Sequence, residues 1–168
     1  MSPSDHGNDE ARLAGIGRAL SRVPSGLYVL TAGVGTDATG ILASWVQQVG
    51  FEPPAVVVAL KKGRPIEELV RSQETFCISV IDEGSKALMG HFARGFEPGV
   101  SAFEGIETRT TEQGTPYPTA AHAHLVCRRV GVAEDWTDHT VVCGEVIAGE
   151  GQLEATPLVH IRKSGFSY

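Results

Sequence analysis

Pro53-Pro54 sets a hard stop inside the most apolar part of the chain. Proline offers no N–H to a sheet ladder, so paired strands must end or turn there. Upstream lies Thr39-Gly40-Ile41-Leu42-Ala43-Ser44-Trp45-Val46-Gln47-Gln48-Val49, a mixture of strand-forming and small residues. Downstream lies Ala55-Val56-Val57-Val58-Ala59-Leu60, a continuous apolar run. Such a run reads as a strand buried on both faces. The two segments predict neighbouring strands joined by a proline turn.

The same pattern recurs along the chain. Leu27–Ala32, Thr75–Ile81, His122–Val132, Thr140–Ala148 and Leu158–Arg162 all read as strands. Helical spacing appears in three places. Leu13, Ile16 and Leu20 predict a first helix over Asp9–Val23, weakened by Gly15 and Gly17 and so in need of a packing partner. Pro65 suits the first turn of a short helix to Arg71. Asp82 or Ser85 can cap a third helix through Lys86–Phe92. Residues 93–121 read as a long excursion with a short strand near Ile106–Arg109. Many strands with few helices predict a mainly β (α+β) domain, an antiparallel barrel with peripheral helices. Residues 1–8 read as a disordered head and residues 9–168 as one domain.

Composition removes several function classes. A net charge of −6 argues against nucleic-acid binding. No apolar run reaches the roughly 20 residues that cross a bilayer, and the start lacks a signal-peptide pattern. Cys77, Cys127 and Cys143 are far apart, form no CxxC, and sit in apolar strands. They read as reduced, buried thiols, in keeping with a cytoplasmic protein. Gly33-x-Gly35 precedes a strand where a dinucleotide fingerprint needs a helix, so it is set aside. No metal site is expected: His122-x-His124 shares a strand face, but spacing does not bring His139 to it.

Two segments can carry chemistry. Lys61, Lys62 and Arg64 follow a buried strand and precede a helix start, with Gly63 allowing close backbone approach. Cations at a helix N-terminus suit a phosphate; the alternative is a solvated basic turn. Around Ala43 and Ser44 the side chains are small enough to expose backbone to a flat ring, and Trp45 adds an aromatic face. The alternative there is ordinary core packing.

Gly40–Val49 followed by Pro53-Pro54 resembles the flavin-binding strand of the flavin reductase-like family, the FMN-binding split barrels. Trp136-Thr137-Asp138-His139-Thr140-Val141 is similar to that family's Gly-Asp-His strand entry, with Thr137 where the glycine is usual. Pro157–Arg162 through Tyr168 resembles its terminal strand and aromatic tail. The resemblance covers nearly all of Val23–Tyr168. It implies an antiparallel six-stranded split β-barrel, a homodimer, and FMN near the subunit interface. It also implies that Gly40, Ile41, Leu42, Ala43, Ser44 and Trp45 line the flavin. Lys61, Lys62, Gly63, Arg64, Pro65 and Ile66 would hold its phosphate. His91 and Phe92 would lie beside it, and His139 near the nicotinamide of NADH or NADPH. Gly63 and Pro65 stand where relatives carry hydroxyls, which shifts phosphate binding to backbone N–H groups and cations. Two functions follow from the resemblance. One is a reductase passing hydride from NAD(P)H to FMN and on to an oxygenase or electron-acceptor protein. The other is an FMN electron-transfer module that does not use free NAD(P)H.

Overall fold

A computed structural model describes residues 3–167, with side chains from residue 9 onward. In chain order the elements are α1 (Pro3–Leu20), β1 (Ser25–Gly26), β2 (Tyr28–Ala32), β3 (Thr39–Ala43), β4 (Val46–Phe51) and β5 (Pro54–Lys61). They continue with α2 (Pro65–Ser72), β6 (Thr75–Val80), α3 (Lys86–Phe92), β7 (Thr108–Thr110) and β8 (Pro116–Pro118). β9 (Ala123–Ala133), β10 (His139–Gly151) and β11 (Val159–His160) complete the list.

Seven strands form one antiparallel sheet in the order β3-β2-β6-β9-β10-β5-β4. Its two edges, β3 and β4, are consecutive in the chain and separated only by Ser44 and Trp45. Laid flat, seven strands would place those edges about 29 Å apart. The three peptide steps from Ala43 to Val46 span at most about 11 Å. The sheet must therefore curl until its edges meet, which makes it a split barrel. This is also why seven strands appear where six are expected. The stretch Thr39–Val49 is not one strand but two, broken where the chain passes from one edge to the other.

Alternation along the strands sorts residues to two sides. Leu30, Ile41, Ala43, Val56, Val58, Leu60, Phe76, Ile78 and Val142 fill the interior, with Ile66 and Val70 of α2 packed against them. A second cluster, Val29, Ile81, Leu88, Phe92 and Ala102, lies under α3 on the outer side of β2. The expected two-sided burial of Ala55–Leu60 is not met within this chain. Val56, Val58 and Leu60 are buried, while Ala55, Val57 and Ala59 are only half-buried. Cys77 and Cys127 are buried thiols, each pushed up to about 12 mainly by desolvation.

The chain divides into two units, Gly26–Leu158 and a smaller one made of its two terminal segments. In the smaller unit, α1 begins at Pro3, before the expected Asp9, so described residues of the expected head are helical. Met1, Ser2 and Tyr168 lie outside the described residues. A Cβ on Gly17 would sit 2.8 Å from the Phe166 ring. The glycine that weakens the helix thus makes room for an aromatic partner. Arg162 Nη2 donates to the Leu20 carbonyl at 3.2 Å, closing the helix end.

Candidate functional site: an arginine-lined cleft and a held histidine

A cleft of about 250 Å³ opens between the start of β3, the turn into α2 and the segment after α3. Thr39, Gly40 and Ile41 form one side, Gly63–Ile66 the second, and Arg94–Glu97 the third. Two arginines, Arg64 and Arg94, are among its lining residues.

The turn is built locally. Gly63 has φ +80°, a left-handed conformation that glycine adopts without steric cost. Arg64 is extended at the N-cap position and Pro65 opens α2. Arg64 Nη1 lies 3.8 Å from where a Cβ on Gly95 would stand, so this guanidinium reaches toward the opposite wall. The sequence reading missed the residue that braces the turn. Glu67, buried, accepts the Gly63 N–H at Oε2 (3.3 Å) and the Thr140 hydroxyl at Oε1 (2.7 Å). Its position three residues after Arg64 is the spacing of a capping carboxylate, a signal available in the sequence.

The structure redirects Lys62. Its ammonium donates to the carbonyls of Glu134 and Thr137, the latter at 2.8 Å, and its N–H donates to Asp138 O at 3.2 Å. Lys62 thus ties down the loop before β10 and does not line the cleft. Lys61 lies opposite His139 in the β5–β10 register. Its charge helps hold the Asp138 carboxyl below the usual carboxylate range, behind the larger effect of the bond to His139.

His139 is buried at the start of β10. Its Nδ1 lies 2.8 Å from Asp138 Oδ1, and its ring lies 4.7 Å from that of Trp45 at 44°. Thr137 replaces the expected glycine without loss of the turn. Its Oγ1 accepts the His139 N–H at 3.0 Å and donates to the His139 carbonyl at 3.3 Å. A short polar side chain closes the turn that glycine freedom would otherwise permit.

The remaining expected residues are divided by the pleat. Ile41 and Ala43 belong to the interior cluster, while Leu42 packs on the outer one. Ser44 is buried in the edge-to-edge crossing. Of the floor, only Gly40 and Ile41 line the cleft. His91 and Phe92 do not line it. His91 Nε2 donates to the Ala102 carbonyl at 2.8 Å, and Phe92 is fully buried. A Cβ on Gly40 would sit 2.8 Å from the Phe92 ring, so Phe92 supports the floor from behind. The next residues, Arg94 and Gly95, reach the cleft instead.

His122 and His124 stand at the other end of the barrel. Tyr117 stacks on His124, ring centroids 4.2 Å apart, in a second and wider cleft with Arg109 and Glu150. His124 pairs with Glu150, eleven residues along β10 from His139, a stretch that spans at most about 36 Å. Among the described residues no three His, Cys, Asp or Glu gather to hold a metal.

Fold and site together define a split-barrel protein with a cleft lined by two arginines and a held imidazole at the start of β10. The family described as "Flavin reductase like domain" matches residues 20–167, and the chain belongs to the flavin reductase-like family. In sequence it is 38% identical over 153 residues to diflavin flavoprotein A 1 of Synechocystis sp., covering 90% of this chain and 26% of that protein. It is 39% identical over 157 residues to putative diflavin flavoprotein A 3 of Nostoc sp., covering 92% and 27%. The chain thus spans about a quarter of the length of these curated relatives. In structure it resembles the NADH:FAD oxidoreductase SgcE6 of Streptomyces globisporus C-1027, with TM-score 0.79 and 28% identity over 98% of this chain and 92% of that one. The flavin reductase HpaC complexed with NADP+ shares the fold, with TM-score 0.74 and 21% identity over 88% and 92%. The chain is thus of an oxidoreductase family whose relatives are flavoproteins. Among the described residues no helix is long and apolar enough to cross a membrane.

Proposed function

We propose that the protein is an NAD(P)H-dependent flavin reductase that binds FMN with its phosphate between Arg64 and Arg94. The cleft carries this reading. Two arginines line a cleft at a helix start, and guanidinium groups suit phosphate geometry. Its volume is below the range that encloses a whole drug-sized ligand, so it matches the phosphate end of the nucleotide.

Bound flavin supplies the hydride-accepting ring, so no protein acid or base is required. The work of this chain is then binding and orientation. Arg64 and Arg94 would hold the phosphate, with Lys61 adding positive potential. The backbone of Ile41–Trp45 would meet the ring. His139, fixed by Asp138 and Trp45, would position the nicotinamide of NADH or NADPH. Reduced flavin would pass to an oxygenase or electron-acceptor protein. A homodimer is supported by the half-buried outer strip of Val57, Ala59, Val141 and Cys143.

The test is FMN titration followed by rapid mixing with NADH and with NADPH. Yellow protein that bleaches quickly supports the reductase. Protein that ignores FMN overturns the reading, and FMN binding without bleaching favours an electron-transfer module. His139→Ala is expected to slow bleaching more than it weakens FMN.

A further inference from the structure

We propose that Glu67 is a positioning residue that couples the phosphate turn to the histidine loop. An anion held by Arg64 and the placement of His139 then depend on one another. The proposal rests on the flavin reading for its ligand, and on geometry for the coupling.

A carboxylate at this helix position ordinarily caps the turn from the surface. Glu67 is buried instead, 7% exposed, and burying a charge is costly unless it is paired and hydrogen-bonded. Its two oxygens are divided between two distant parts of the chain. Oε2 takes the Gly63 N–H, next to Arg64. Oε1 takes the hydroxyl of Thr140, a fully buried residue adjacent to His139. Capping alone would explain the first bond and not the second.

A third contact extends the chain of interactions. Arg71 Nε lies 3.7 Å from Glu67 Oε1, and Arg71 Nη1 lies 3.3 Å from Glu134 Oε2 in the loop before β10. Lys62 binds the same loop through the Glu134 and Thr137 carbonyls. The turn, the loop and the start of β10 are therefore linked, and Glu67 is the buried member that touches both the turn and β10. Shifting Gly63 to meet a phosphate pulls on Thr140, and with it on His139.

The experiment compares FMN with riboflavin, which lacks the phosphate, in the full chain and in the Glu67→Leu, Glu67→Gln and Thr140→Val variants. Glu67→Leu is expected to weaken FMN about tenfold, the size of one charge-assisted hydrogen bond, and riboflavin by less than about twofold. Glu67→Gln keeps one acceptor oxygen and loses about threefold. Thr140→Val keeps its shape, guards against a misfolded Glu67 variant, and should act in the same direction. The His139 ring resonances should shift on FMN addition in the parent protein, and shift less in Glu67→Leu and Thr140→Val. Equal losses for both flavins, or unchanged His139 behaviour in folded variants, would overturn the coupling. If the parent binds neither flavin, the functional reading fails separately. Inorganic phosphate then replaces FMN: a His139 shift lost in the variants supports the coupling, and its persistence or absence in the parent overturns it.

Discussion

The two walls of the cleft are held by opposite kinds of force. The Gly63–Ile66 wall is braced by polar contacts, through the Glu67 carboxylate and the Lys62 ammonium. The Arg94–Glu97 wall hangs on rings. Phe96 lies 5.7 Å from Phe92 and 5.3 Å from His91, and Phe92 lies 6.2 Å from Phe103. Hydrogen bonds fix direction, so the first wall holds the backbone of the turn at Gly63 in one orientation. Ring packing is less directional, so the second wall relies on the volume of its side chains. The contrast teaches where each wall can be damaged: one by removing charge or an acceptor, the other by removing bulk.

The largest break is expected at the ring-held wall. Phe92→Ala should lower the unfolding free energy by about 3–5 kcal/mol, because the ring is fully buried and also backs Gly40. Urea unfolding reads this directly, and a loss below about 1 kcal/mol would mean that the rings do not carry the wall. Next comes the cleft itself. Arg64→Ala should weaken FMN at least about tenfold, with Tm nearly unchanged, since the side chain is exposed. Unaltered affinity by fluorescence titration would remove Arg64 from the site. His91→Ala should cost about 1 kcal/mol by losing the bond to the Ala102 carbonyl, and should change FMN affinity by less than about twofold. A large loss of affinity would return His91 to the ligand.

Smaller still is Lys62→Met. Its ammonium is exposed, so stability should fall by under about 1 kcal/mol. Amide hydrogen exchange over residues 134–139 should nonetheless quicken; protection that stays the same would show that Lys62 does not tether the loop. Acidification should be the mildest perturbation. The Asp138 carboxyl sits below its ordinary range, first through its bond to His139. The contact is therefore present above the ordinary carboxylate pKa of about 3.9 and lost only as pH falls through the lower folded value. NMR titration of that carboxyl at or above the ordinary value would contradict the held pair.

These differences also mark what could be read from sequence. Strands such as Tyr28–Ala32 and Thr75–Val80 were legible because their apolar runs and flanking turn residues are local. Arg64 and Gly63 were legible for the same reason, since the helix start that positions them is a few residues away. Lys62 was not, and of Glu67 only the capping bond was. Lys62 meets carbonyls 72 and 75 residues on, and Glu67 meets a hydroxyl 73 residues on. No local pattern distinguishes a lysine facing an anion from one clasping a remote loop. Ser44 and Trp45 looked like strand interior because the break there is imposed by closure of the sheet, not by any turn-forming residue. His91 and Phe92 lie in the last turn of α3, and the cleft is reached only past that turn.

That crossing at Ser44 and Trp45 has a mechanical meaning. The barrel's margins are joined by a two-residue stitch, so its girth is governed by the length of a tether and not by a zipper of rungs. Splicing several glycines into the stitch would let the margins part while every existing rung stayed made. Circumference and ladder strength are thus separate dials in this molecule.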